Sequence, residues 1–196
     1  MSFDDKAGGG PALKGVQDYV AILNEKYSEK ALRYFKKVDM NLLVDKEEVL
    51  YPEWDFFVGM LDSPNSYWRL SAVRLLANLT GADKEKKFEK IFDQYYSLLD
   101  DSVIVAIYLV GDSGKIARAK PKLQTKITNK LLSIDKTQQK HKDLIKGSAL
   151  LALSQYFEKV RNKKKIIDFA KPLLKGESPK TRKIAREFLS KWDKKG

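Results

Sequence analysis

The chain has 196 residues, with 38 Lys+Arg against 26 Asp+Glu, one His and no Cys. A hydrophobic content of 43% beside 33% charge excludes a disordered chain, and the lack of Cys excludes disulfide frameworks, zinc ribbons and thiol nucleophiles. No apolar run reaches the roughly 20 residues of a membrane span, so the expectation is a cytoplasmic protein with no membrane span.

In chain order, residues 1–12 read as a flexible tail: Met1-Ser2-Phe3-Asp4-Asp5 lacks a basic-then-apolar signal, and Gly8-Gly9-Gly10-Pro11 follows. Residues 13–196 read as a single repeat domain. Val16, Tyr19, Val20 and Leu23 fall at i, i+3, i+4 and i+7, an amphipathic helical stripe, and Ala31, Leu32, Phe35 and Val38 continue it. One or two helices are therefore expected within 13–38, with 39–51 as a connector.

Four helix pairs are expected beyond it, over about 52–80, 84–113, 118–159 and 162–193. Phe88, Ile91, Phe92, Tyr95 and Tyr96 mark a helix of the second pair, and Ile166, Ile167, Ala170 and Leu173 one of the fourth. Ile184, Ala185, Phe188, Leu189 and Trp192 form the closing stripe. The eight apolar residues from Val103 to Val110 are too uniform for a half-exposed strand and predict a buried inner helix. Ser63-Pro64 and Ser178-Pro179 each set a capping residue before Pro at a first helical position, and Asp100-Asp101-Ser102 offers a similar cap. Apolar doublets close the preceding helices at Met60-Leu61, Leu98-Leu99, Leu131-Leu132 and Leu173-Leu174. Their second members are spaced by 38, 33 and 42 residues, a period that signals stacked two-helix units.

Two segments carry a resemblance. Asp62-Ser63-Pro64-Asn65-Ser66-Tyr67-Trp68-Arg69-Leu70-Ser71-Ala72-Val73-Arg74 resembles the turn and second helix of HEAT-like repeats, and Gly176–Ala185 is similar but looser. The resemblance covers roughly residues 52–193 and implies an all-α fold: a right-handed α-α superhelix (solenoid) of about four to five HEAT-like helix pairs. It also implies a binding scaffold, since that superfamily is largely made of them. Lys136–Lys142 is a longer polar insertion than its pattern expects.

Charge is divided along the chain. Residues 1–114 hold 14 Lys+Arg and 19 Asp+Glu, whereas residues 115–196 hold 24 and 7, an excess of 17 cations. Such a surplus repels itself unless a polyanion relieves it. Arg118, Lys122, Lys126 and Lys130 are expected along one helix and its lead-in, where the i, i+4, i+8 spacing of the three lysines sets them on one face. Arg161, Lys163 and Lys164 open the next helix, and Lys180, Arg182, Lys183 and Arg186 the last. These eleven residues are the expected nucleic-acid-binding set. Stacking of the helices would align them into a stripe along a phosphate backbone, with no sign of base reading.

Covalent chemistry is less well supported. Gly111-Asp112-Ser113-Gly114 is similar to the nucleophile stretch of trypsin-like serine proteases, but the only His is His141, in a polar stretch, and the helical pattern offers no β-barrel. Gly and Ser there read instead as a helix stop. A lone His without Cys assembles no usual metal site. Trp54-Asp55 and Trp68-Arg69 resemble pieces of DNA-alkylation-repair glycosylases built from similar repeats. That likeness implies a Trp against DNA and an Asp stabilising positive charge at the sugar. The competing reading places Trp54, Phe57, Val58 and Trp68 in the core and Asp55 in a first turn, where its charge suits the helix dipole. The expected function is therefore a non-enzymatic scaffold without cofactor or metal, contacting a polyanion such as nucleic acid through its basic C-terminal surface. A protein–protein adaptor that holds a partner helix or acidic segment is the alternative, and a glycosylase-like repair protein the third.

Overall fold

Residues 50–193 are described by the computed structural model. The expected tail, the helices within 13–38 and most of the connector lie outside them. Among the described residues there are eight α-helices and no strand: α1 (Trp54–Gly59), α2 (Ser66–Leu79), α3 (Lys87–Ser97), α4 (Val103–Ala119), α5 (Gln124–Leu132), α6 (Lys142–Ser154), α7 (Lys163–Ala170) and α8 (Pro179–Trp192). They fall into the four expected pairs. Each first helix tightens at or just past its end into a 3-10 turn, at Met60–Asp62, Leu98–Asp100, Ile134–Lys136 and Lys171–Lys175. Such turns satisfy carbonyls that the helix leaves unpaired. The doublets Met60-Leu61, Leu98-Leu99 and Leu173-Leu174 lie in these turns, while Leu131-Leu132 ends α5.

The second helices pack on one another in chain order, α2 on α4, α4 on α6 and α6 on α8, while α1, α3, α5 and α7 form a looser first layer. Hydrogen bonds between successive pairs carry the same period as the sequence. Arg69 bonds Asp101 at a separation of 32 residues, Lys115 bonds Asn78 at 37, Gln138 N–H bonds Asp100 at 38 and Ser148 bonds the Ile107 carbonyl at 41. The repeat is therefore built into side-chain chemistry as well as apolar spacing.

The core follows the stripes. Phe88, Phe92, Tyr95 and Tyr96 of α3 are buried in a cluster of tilted and edge-on rings, with centroids 4.6–6.4 Å apart, the geometry that aromatic quadrupoles favour. The Tyr95 hydroxyl donates to the Val73 carbonyl of the preceding pair at 3.1 Å. Burial, with lesser repulsion from Tyr96 and Asp112, holds the Tyr95 phenol well above its usual range. The run Val103–Val110 is helical, with Val105, Ala106, Leu109 and Val110 buried.

The observed helices differ from expectation at three boundaries. Gly111-Asp112-Ser113-Gly114 does not stop α4, which continues to Ala119. A side chain on Gly111 would meet Ser148 at 3.3 Å, so this glycine allows close approach of α4 to α6, whereas one on Gly114 would meet the flexible end of the Gln155 side chain at 2.6 Å. Lys115, Arg118, Lys122, Lys126 and Lys130 do not share one helix. α4 ends before Lys120, Pro121 opens a 3-10 turn, and α5 starts at Gln124. In the first pair Asn65, not Ser63, caps α2 by accepting from Tyr67 N–H at 2.9 Å, whereas Ser178 caps α8 before Pro179 as expected.

A buried polar node ties the second and third pairs to the link before α3. Asp83 is fully buried. Its carboxylate accepts from the Tyr51 hydroxyl (2.8 Å), the backbone N–H of Lys87 (2.8 Å) and Phe88 (3.0 Å), and the Lys120 ammonium (2.8 Å). Lys120 also donates to the Asp83 carbonyl at 2.6 Å. The carboxylate thus caps α3, whose own N-cap Lys86 sits in left-handed backbone with φ 58°.

Candidate nucleic-acid interface

A groove of about 510 Å³ opens between α5 and the link into α7. Pro121 and Lys122 form its upper edge; Gln124, Thr125, Thr128, Asn129 and Leu132 of α5 form one wall. The other wall is Lys159, Val160, Arg161 and Asn162 with Lys165 of α7. Pro121 begins the 3-10 turn that swings Lys122 away from the axis of α4. Asn162 caps α7 by accepting from Lys165 N–H at 3.3 Å, which fixes the start of that helix beside α5. The floor is held by Thr128, whose hydroxyl donates to the Gln124 carbonyl at 2.7 Å and meets the Tyr156 hydroxyl at 3.0 Å. Burial pushes the Tyr156 phenol up to about 12, partly offset by the Thr128 hydrogen bond, so this floor is neutral throughout the ordinary pH range.

The lining holds four cations, Lys122, Lys159, Arg161 and Lys165, and no Asp or Glu. None of the four makes an ion pair among the described residues. Their mutual repulsion is uncompensated locally, and the lysines at the start of α7 face the positive end of its dipole. An anion in the groove would relieve both.

The structure divides the eleven expected residues. Lys122 and Arg161 line the groove, and Lys164 is exposed on the first turn of α7. Lys163 lies 5.8 Å over the Phe157 ring. Lys126 and Lys130 turn toward the preceding pair, 3.2 and 3.8 Å from the Asp93 carboxylate, and Lys126 also covers the Phe92 ring at 4.0 Å. The expected alignment of Lys122 with these two is therefore corrected: it precedes α5 in the 3-10 turn and lines the groove toward α7. Arg182 is half-buried and donates to the carbonyls of Gly176 and Glu177, both at 2.8 Å. That position repeats Arg69, which reaches back six residues to the Ser63 carbonyl in the same way. Lys183 stands 3.8 Å from Glu187. Lys180 lines a separate small cavity between second helices, and Arg118 and Arg186 are exposed on α4 and α8. Lys159 was missed by helical spacing, and Lys165, in the basic run that opens α7, lay outside the expected set. Their signal is the acid-free run Lys159-Val160-Arg161-Asn162-Lys163-Lys164-Lys165.

Of the residues that suggested catalysis, Ser113, Trp54, Trp68 and Arg69 are packed or bonded within the fold, whereas Asp55 and His141 are exposed. Ser113 is fully buried, donating to the Leu109 carbonyl at 2.8 Å and accepting from the Tyr96 hydroxyl at 2.9 Å. Trp54 and Trp68 are buried, so neither offers an open ring to a base. Arg69 forms a forked pair with Asp101, whose carboxyl is held below its usual range: burial raises it, but Arg69 and the Ser102 N–H outweigh burial. Asp55 projects into solvent from the first turn of α1, 3.8 Å from Lys87. His141 is exposed as the N-cap of α6. Among the described residues no cluster of His, Asp and Glu is suited to a metal ion, and no helix is long and apolar enough to cross a membrane. Comparison with protein families, with curated proteins and with solved structures finds no match to this chain.

Proposed function

We propose that the chain is a cytoplasmic scaffold of HEAT-like helix pairs, stacked as a solenoid, that binds nucleic acid without covalent chemistry. The observation that carries this reading is the groove between α5 and α7, with four cations and no carboxylate. Cations that cooperate on a phosphate backbone act largely by releasing condensed counterions, so affinity falls steeply with salt. The test is fluorescence anisotropy of a labelled 20-nucleotide DNA across a salt series. The double charge reversal Lys122→Glu with Arg161→Glu is expected to weaken binding at least about tenfold and to flatten the salt slope. Lys126→Ala with Lys130→Ala is expected to change affinity by no more than about threefold, because these side chains lie outside the groove and Asp93 already offsets part of their charge. Equal losses in both variants would refute the assignment to the groove.

A second reading rests on the opposite layer. Tyr67, Ile104, Tyr108, Leu144 and Leu151 are exposed on α2, α4 and α6, and Ile107, Leu151 and Ile184 enclose a cavity of about 70 Å³ with Lys180 at its edge. Arg74 lies 4.9 Å over the Tyr108 ring. An apolar row edged by cations fits an acidic amphipathic helix of a partner protein. A synthetic peptide with Leu at i, i+3, i+4 and i+7 and Glu elsewhere should bind at least about tenfold tighter than its Lys counterpart, and Tyr108→Glu should abolish the difference. Equal binding of the two peptides, or none, would exclude that partner.

A further inference from the structure

We infer that the groove takes a single nucleic-acid strand by its sugar-phosphate backbone and discriminates against duplex; this deepens the proposal above and rests on it. Three observations converge on it. The four cations, unpaired among the described residues, line the two walls and upper edge of a cavity of about 510 Å³, whereas a duplex presents its phosphates around a body far broader than that space. An extended single chain can lower successive phosphates between α5 and α7, within reach of Lys122 on one side and Arg161 and Lys165 on the other.

Some of the cations nearest the groove are already engaged by neighbours. On the α3 side the single Asp93 carboxylate lies 3.2 and 3.8 Å from Lys126 and Lys130 and offsets one of their two charges. On α8 Glu187 stands against Lys183, and the Arg182 guanidinium is bound to backbone carbonyls. Lys164 and Arg186 remain exposed beyond the groove, and the groove is where four cations meet with no carboxylate in the lining. Finally, no aromatic side chain lines the groove. Tyr156 lies beneath it, buried, with its hydroxyl against Thr128. Without a ring to stack on, bases gain nothing specific there. The amides of Asn129 and Asn162 offer hydrogen bonds that suit phosphate and sugar oxygens of any sequence.

The experiment compares a labelled mixed-sequence 20-nucleotide DNA strand, its blunt duplex, and oligo-dT and oligo-dC of the same length, using the full chain. The single strand is expected to bind at least about tenfold tighter than the duplex, with the three single strands agreeing within about threefold. Its log–log salt slope should be about −3, from four phosphate contacts at about 0.7 each. Lys165→Ala should lower that slope by about 0.7, and Lys159→Ala should do the same. Both side chains are exposed, and circular dichroism checks that the variants remain folded. Duplex binding as tight as single-strand binding, with both weakened by Lys122→Glu/Arg161→Glu, would overturn the strand preference and leave the nucleic-acid reading standing. Binding of neither form would overturn both, and a large spread between oligo-dT and oligo-dC would overturn the backbone-only mode.

Discussion

Asp83→Ala is expected to lower the unfolding free energy by about 3–5 kcal/mol, the usual cost of removing one partner of a buried ion pair. The side chains of Lys120 and Asp83 are 9% and 0% exposed, so solvent does little to screen the loss. The substitution removes the carboxylate partner of the Lys120 ammonium, leaving it the backbone carbonyl at position 83 and Glu89 at 3.7 Å; it also leaves the N–H groups of Lys87 and Phe88 without their acceptor and frees the Tyr51 hydroxyl. Urea denaturation followed by circular dichroism reads the change directly. The pair is a poor source of net stability, so Asp83→Ala combined with Lys120→Met should recover part of the loss. A single variant within about 1 kcal/mol of the wild type would show that the node is not structural.

The same node sets an acid limb. Burial alone would raise the Asp83 carboxyl, but hydrogen bonds from Lys120, Phe88, Lys87 and Tyr51 outweigh it and hold the group below its ordinary value. The contribution is therefore complete above the unfolded value of about 3.9 and is lost as pH falls through the lower folded value. Asp83→Ala should flatten this acid limb. At the other extreme, burial and the Asp83 carboxylate push the Tyr51 phenol up to about 12. The unfolded phenol then ionises first, and stability declines as pH rises above about 10.

The second large effect lies between α6 and α8. A Cβ on Gly147 would fall 2.7 Å from Thr181 Oγ1 and 3.4 Å from Thr181 Cα. Thr181 is buried, and its hydroxyl donates to the Asp143 carbonyl at 3.1 Å. It cannot yield without losing that bond or shifting α8. Gly147→Val should therefore destabilise by about 1–3 kcal/mol through overpacking. Gly114→Ala is the informative contrast. The three atoms nearest its Cβ all belong to the end of the exposed Gln155 side chain, which can swing aside, and alanine gains up to about 1 kcal/mol of helix propensity. Thermal unfolding should separate the two in sign; similar losses would contradict this account.

Helix pairing was legible because it is a local property. The doublets at Leu61, Leu99, Leu132 and Leu174 mark where an apolar stripe runs out, and the stripe needs no knowledge of its neighbours. The stop expected at Gly111–Gly114 failed for the opposite reason. A glycine that ends a helix and one that admits a neighbouring helix are the same letter, and only Ser148 opposite Gly111 reveals which is present. The cations behaved likewise. Spacing correctly placed Lys126 and Lys130 near each other, but their partner Asp93 lies 33 residues before Lys126, on another helix. Lys159 sits in a 3-10 turn, where helical periodicity gives no direction, and it was found only once Pro121 and Asn162 had set the two walls of the groove.

The groove straddles a seam, because α5 belongs to one helix pair and α7 to the next. Spreading the two pairs would part its cations, and a strand lying across it would bridge them like a stitch through adjoining cloth. With such a strand bound, occupancy and local bending would be reciprocally linked: flexing the pairs apart at this point would loosen it, and it would resist that flexure to the same degree in free energy.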